Sequence, residues 1–223
     1  MKPLLLVGAG GFGREAAEVV RAINAERPTW DLLGFLDDGV ELVGTQVDGV
    51  PVLGPLSAVE RFPVAQVVVC TGHPGNYFTR KRLVRRLRLP ASRYATLAHP
   101  TAVLPASAEL GPGTVVLATA VATARVRIGA HVAIMPGVVL THDDVVADYA
   151  TLAAGARLAG RVRVGEGAYI GSGALVREDR SIGAWSLIGM GAVVTRDVPD
   201  CQVWVGVPAR YLRAVSVPPD ARE

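Results

Sequence analysis

Two clusters of residues in this sequence have the types and spacing to do chemistry. The first runs Leu140-Thr141-His142-Asp143-Asp144-Val145, where an imidazole is followed at once by two carboxylates. A carboxylate that accepts one ring N–H leaves the other nitrogen as a base, so Asp143 can orient His142 and raise its basicity. Asp144 could share that role, and a lone histidine beside aspartates also reads as a solvated surface residue. The second cluster is the segment from Gly8 to Gly13, where Gly8, Gly10 and Gly13 spell GxGxxG, with Asp37 and Asp38 at the end of the next apolar run. Backbone N–H groups at such a turn can approach a phosphate, and a carboxylate can bond ribose hydroxyls. The same glycines also serve a tight turn that binds nothing.

Two different periodicities must position these clusters. From Leu104 to Val194 in steps of six, fifteen of sixteen residues are Val, Ile or Leu, the exception being Ala122. A second column, four residues on and running from Ala108 to Val198, is small or β-branched apart from Asp144 and Arg180. A strand repeats every two residues and a helix every 3.6, so neither explains a lock on six. A parallel β-helix does, with three hexads to a triangular coil of 18 residues. Glycines after the aliphatic column, such as Gly111, Gly129 and Gly165, read as its tight corners. In this register His142 points outward, flanked one coil away on either side by Ala124 and Gly160, which leave an open notch beside it. The four histidines, His73, His99, His131 and His142, are never a multiple of 18 apart, so no zinc site and no other metal site is expected.

Residues 1–97 alternate differently. Strands are expected at 4–7, 32–36, 67–70 and 94–97, with helices at 14–25 and 77–89. This is a small parallel βαβ sheet, about the first half of a dinucleotide-binding fold. The second helix, with Arg80, Lys81, Arg82, Arg85, Arg86 and Arg88, reads as a solvated basic face, with Arg82 reaching a phosphate as the alternative. The division is then 1–97 for the βαβ domain, 98–213 for the β-helix and 214–223 for a tail. A net charge of +3 with scattered basic residues does not imply nucleic-acid binding. Two cysteines outside any ligand spacing, and the lack of a long apolar run, fit a reducing cytoplasm.

Taken together, GAGGFGRE at the start, GFLDDG around Asp37 and Asp38, the hexad array, THDD at His142, Ala159-Gly160 and the Gly206-Val-Pro-Ala-Arg210 terminus form a recognisable order. Over nearly its full length the chain resembles the sialic acid and bacillosamine acetyltransferases, hexapeptide-repeat enzymes of the NeuD and PglD type. The resemblance implies an α/β half-Rossmann domain followed by a left-handed parallel β-helix. It implies that Gly10, Gly11, Phe12, Asp37, Asp38 and Gly72 hold a nucleotide-linked amino sugar. It also implies that acetyl-CoA lies between neighbouring β-helices of a trimer, with Gly160 offering its N–H to the acetyl carbonyl and Thr151, Ser172 and Met190 lining the cofactor groove. His142 is the implied general base and Asp143 its partner. The chain departs from the family pattern at Phe12 and Thr151, where relatives commonly carry histidine, and at Asp144, where they carry cysteine or another small residue.

The expectation is an acetyl-CoA-dependent N-acetyltransferase acting on a nucleotide-linked amino sugar in surface-glycan biosynthesis. The alternatives are O-acetylation of a free sugar such as sialic acid and a non-catalytic sugar-nucleotide-binding trimer. A homotrimer is expected because Ala118, Thr119, Ala120, Ala153 and Ala154 read as an uncharged outer face.

Overall fold

The computed structural model describes residues 1–218 and Asp220, so positions 219 and 221–223 of the expected tail lie outside the described residues. Strand β1 (Lys2–Val7) is followed by helix α1 (Gly11–Glu26) and β2 (Trp30–Leu36). Alternation along β1 sorts its side chains onto two faces. Leu4 and Leu6 pack with Ala16, Val20 and Phe35 under α1, while Leu5 and Val7 pack with Leu36, Leu56 and Val59 on the other side. Each such buried aliphatic contributes about 1.5–3 kcal/mol. Pro28 lies just past the end of α1 and prevents its continuation.

The sheet is completed by β3 (Gln46–Val47), β4 (Val50–Gly54) and β5 (Gln66–Val69), in the order β3-β4-β2-β1-β5, parallel except for the β3–β4 pair. That pair is a hairpin absent from the sequence-based expectation. Its turn is Asp48-Gly49, both at positive φ (49° and 77°), which is the geometry a two-residue hairpin requires. The strand expected at 94–97 is split. Tyr94 bridges back to Val67 of the first sheet, while β6 (Leu97–Ala98) pairs with Val115–Val116 of the first coil.

The remainder is the left-handed parallel β-helix. Two-residue strands stack in three sheets with partners eighteen apart, as in Ile128↔Val146, Ile134↔Leu152 and Leu140↔Leu158. Both hexad columns fill the prism, from Val116 and Ala120 at one end to Val194 and Val198 at the other. Asp144 is buried among them. Its two carboxylate oxygens accept the N–H groups of Thr141 and Val162, each at 2.8 Å, so it pins successive coils together. Burial raises its carboxyl to about pH 7 against the pull of those two N–H donors.

The corners differ from the sequence reading in a regular way. Every sixth residue from Gly113 to Gly191 has positive φ, and this turning residue lies three places after the aliphatic position. The glycines directly after the aliphatic position serve another need. A Cβ on Gly111 would lie 2.4 Å from the Gly129 carbonyl carbon, so that column permits close stacking of coils. At the turning positions Arg125, His131, Asp143, Tyr149, Arg161, Asp179 and Trp185 adopt a left-handed conformation that costs about 1–2 kcal/mol for a residue with a Cβ. Ala120 and Ala153 also depart from expectation: both are buried within the chain rather than on its outer face. No helix among the described residues is long and apolar enough to cross a membrane.

Candidate active site

His142 stands on the corner that follows Leu140, half exposed, with its neighbour Asp143 at the left-handed turning position (φ 64°). The turn brings the two side chains together, and His142 Nδ1–H donates to Asp143 Oδ2 at 2.9 Å. Asp143 is held as a carboxylate, its pKa lowered first by that bond and then by Arg125, which lies one coil away with Nε 3.1 Å from Oδ1. With Nδ1 engaged as a donor, Nε2 carries the lone pair.

Gly160, one coil on, explains where the ring lies. A Cβ there would sit 2.4 Å from His142 Nε2 and 2.5 Å from Cε1, so the imidazole occupies the notch that the sequence suggested was open. The Gly160 N–H has no acceptor among the described residues. Asp144 does not share the role of Asp143, because both its oxygens are turned to backbone N–H groups.

The glycine loop divides into two kinds of glycine. Gly8 has φ 98°, and a Cβ on Gly13 would lie 1.9 Å from the Gly8 carbonyl oxygen, so the fold itself demands both. Gly10 and Gly11 meet nothing within 4 Å, which leaves open space at the N-terminus of α1, a helix with no side-chain cap. Asp37 accepts the Ala9 and Gly39 N–H groups at 2.8 and 2.9 Å, bracing the loop from the next strand. Asp38 accepts the Leu56 N–H and the Arg86 guanidinium, each at 2.9 Å, and these two, the first more than the second, lower its pKa. Both aspartates line a cavity of ≈ 340 Å³ with Gly8, Thr71, Asn76 and Arg82. An adjoining cavity of ≈ 460 Å³ is lined by Gly10, Gly11, Phe12, Gly72 and His73. Asn76 and Thr79, which also line it, were not singled out from sequence, and His73 was weighed there only as a metal ligand; the one signal was their place after the third long strand.

Phe12, Gly72, Thr151 and Ser172 meet in a smaller cavity of ≈ 140 Å³ that does not include His142. Ser172 and Met190 are exposed on the corner after Ile170 and Ile188, a different edge of the prism from that of His142. Thr151 is buried, with its hydroxyl accepting a bond from Arg80 Nη2 at 2.8 Å. The basic helix α2 (Thr79–Leu87) is not the wholly solvated face expected. Arg80 and Lys81 are buried, and Lys81 pairs with Glu166 at 2.9 Å. Among the described residues no group of three or more His, Cys, Asp or Glu is placed to hold a metal ion.

Residues 3–87 match the PglD N-terminal domain family. The acetyltransferase domain of PglB from Neisseria gonorrhoeae superposes with a TM-score of 0.85 at 31% identity, covering 95% of this chain and 100% of that one. The chain belongs to the PglD-type sugar acetyltransferase family. A second structure of that PglB domain contains acetyl coenzyme A. A histidine variant of perosamine N-acetyltransferase from Caulobacter crescentus, in complex with CoA and GDP-perosamine, superposes at a TM-score of 0.82 with 30% identity, covering 96% of this chain and 98% of that one. UDP-N-acetylbacillosamine N-acetyltransferase of Bacillus subtilis is 38% identical over 119 residues, 53% of this chain and 52% of that relative, so the alignment spans about half of its length.

Proposed function

We propose that this PglD-type chain transfers the acetyl group of acetyl-CoA to the amine of a nucleotide-linked amino sugar in surface-glycan synthesis. The observation that carries the reading is the His142 imidazole, tied at Nδ1 to Asp143 and seated over Gly160 with Nε2 as its free base. In the transfer, the amine nitrogen attacks the thioester carbonyl carbon while Nε2 takes its proton. The oxyanion of the tetrahedral intermediate is met by the Gly160 N–H. The C–S bond then breaks, and the proton held by His142 passes to the departing CoA thiolate.

Gly10, Gly11, Phe12 and Gly72, with Asp37 and Asp38 behind them, form the nucleotide-sugar pocket in this reading. The space beside Gly10 and Gly11, where a Cβ would meet none of the described residues within 4 Å, supports it. Ser172 and Met190 are the exposed members of the acetyl-CoA set, and Thr151 reaches the site through Arg80. A homotrimer belongs to this reading, and placement supports it: His142 and these ligand-binding positions stand on different edges of one chain, and a neighbouring copy would bring them together. The enzyme works in the cytoplasm, where acetyl-CoA and nucleotide sugars are made.

The test is to incubate the protein with acetyl-CoA and either GDP-perosamine or UDP-N-acetylbacillosamine and to identify products by mass spectrometry. An N-acetylated sugar nucleotide is the expected product. Acetylation only of free sialic acid would replace this reading with O-acetylation, and binding of the sugar nucleotides without transfer would leave a non-catalytic binding protein.

A further inference from the structure

Arg80 is the largest fully buried side chain among those described, at 1% exposure, and it has no carboxylate partner. Its guanidinium is instead surrounded by oxygen dipoles from two parts of the molecule. Nε donates to the Thr71 carbonyl at 2.9 Å, in the loop that lines the nucleotide cavities. Nη1 donates to the carbonyls of His131 at 2.9 Å and Ala150 at 3.1 Å, with Tyr149 at 3.4 Å, and Nη2 donates to Thr151 Oγ1 at 2.8 Å. His131 and Tyr149 are equivalent residues of successive coils, so one planar group fastens the Thr71 loop to two coils at once. Burial lowers its pKa to about 10, which leaves it charged at neutral pH.

Three neighbours of this joint, Phe12, Gly72 and Thr151, are positions assigned to ligands. The Phe12 ring centroid lies 5.7 Å from Arg80 Cζ, over the first turn of α1. A Cβ on Gly72 would lie 2.6 Å from Nη2, so Gly72 is glycine to let the guanidinium pass. Thr151, Gly72 and Phe12 share with Arg80 the cavity that reaches Ser172 on the cofactor edge. A lysine ammonium could not span these acceptors, because they lie in several directions within one plane and only a fork reaches them together.

We propose that Arg80 is a positioning residue for acetyl transfer: it fixes the nucleotide-sugar loop to the β-helix edge that carries acetyl-CoA. The inference rests on the acetyltransferase reading given above. Misplacement of reacting groups by about 1 Å costs on the order of 10²-fold in rate, so Arg80→Met lowers kcat by about that factor. The KM values for acetyl-CoA and the sugar nucleotide stay near those of the wild type, since Arg80 at 1% exposure offers a ligand almost no surface.

The experiment is steady-state thiol release with acetyl-CoA and GDP-perosamine or UDP-N-acetylbacillosamine, for wild type, Arg80→Met, Arg80→Lys and Gly72→Ala. Gly72 has no positive φ, so Gly72→Ala keeps the backbone permitted while its methyl displaces the guanidinium, which covers the case in which Arg80→Met does not fold. Both changes lower kcat, Arg80→Met with KM held, and Arg80→Lys, with a single ammonium, restores only part of the rate. Unchanged kcat per folded molecule in both would overturn the proposal, as would a loss confined to KM. Hydrogen–deuterium exchange of the Thr71–Asn76 amides supplies a second readout that needs no turnover. Exchange there is faster in Arg80→Met than in wild type, while that at Asp143 is unchanged; equal exchange in the loop would overturn the anchoring role. A wild type without turnover would sink the acetyltransferase reading and leave the exchange comparison to decide on Arg80.

Discussion

His131 and His142 are eleven residues apart on two different corners of the same β-helix, separated by the corner at Gly137, and each imidazole lies over a glycine of an adjoining coil. A Cβ on Gly113 would come within 2.2 Å of His131 Nδ1, and one on Gly160 within 2.4 Å of His142 Nε2. The rings nonetheless have opposite chemistry. His131 is buried, stacked on Tyr149 at 5.3 Å and met edge-on by Tyr94 at 4.5 Å. Burial and, after it, the Arg80 charge lower its pKa to about 4, so it is a neutral packing group. His142 is half exposed and engages Asp143. The repeat supplies a seat for an imidazole at both corners, and the flanking residues decide whether it packs or reacts. Aromatic rings and a buried cation make the first a packing group, whereas a carboxylate and open solvent leave the second free for the role of base proposed above.

The contrast is broken most directly by truncation. His142→Ala lowers kcat by about 10² to 10⁴, the usual contribution of a positioned base, while His131→Asn, which tolerates the left-handed turn, leaves kcat near wild type; equal losses in a thiol-release assay would erase the distinction. Gly160→Ala tests the seat itself. Its methyl cannot coexist with the imidazole, so transfer falls by a factor on the order of 10² with the circular dichroism spectrum unchanged, and a wild-type rate would mean that the ring works from elsewhere.

Asp144 sharpens the comparison by separating structure from catalysis at the same corner. Asp144→Ala strands two buried N–H groups and lowers unfolding free energy by about 2–4 kcal/mol in urea. A stable variant with impaired catalysis would instead return Asp144 to the catalytic set. The smallest effect concerns pH. Because the folded pKa of His131 lies below its unfolded value of about 6.5, its neutral form contributes stability that is present above about 6.5 and is lost as pH falls toward about 4. Asp144 acts with the opposite sign, losing stability as pH rises from about 4 to about 7. The check is therefore the difference between the Tm–pH curves of wild type and His131→Asn. From about pH 6.5 down to about pH 4 the Tm of the variant should rise relative to that of the wild type, and parallel curves would contradict the assignment.

Much of this was legible because the β-helix converts spacing into position. Steps of six and eighteen placed His142 beside Gly160, and direct adjacency placed Asp143 on the ring. The same arithmetic puts Tyr149 on His131, a stack that was there to be read and was missed. The Asp48-Gly49 turn between Val47 and Val50 was likewise a visible hairpin signal. Arg80 was not legible. A helix with six basic residues resembles a solvated face, and the β-helix carbonyls that hold Arg80 lie 51 to 70 residues away in sequence. The turning residue of each corner was also hidden, since eight of those fourteen positions carry side chains rather than glycine and their φ angles follow from closing the coil.

The central claim is that this chain is an acetyl-CoA-dependent transferase whose base is His142. The most direct measurement is CoA thiol release from acetyl-CoA with GDP-perosamine or UDP-N-acetylbacillosamine as acceptor, comparing the wild type with His142→Ala at equal protein concentration. The account predicts acceptor-dependent release by the wild type and a loss of about 10² or more in the variant. Release that is independent of the acceptor, or equal in the two proteins, would contradict it.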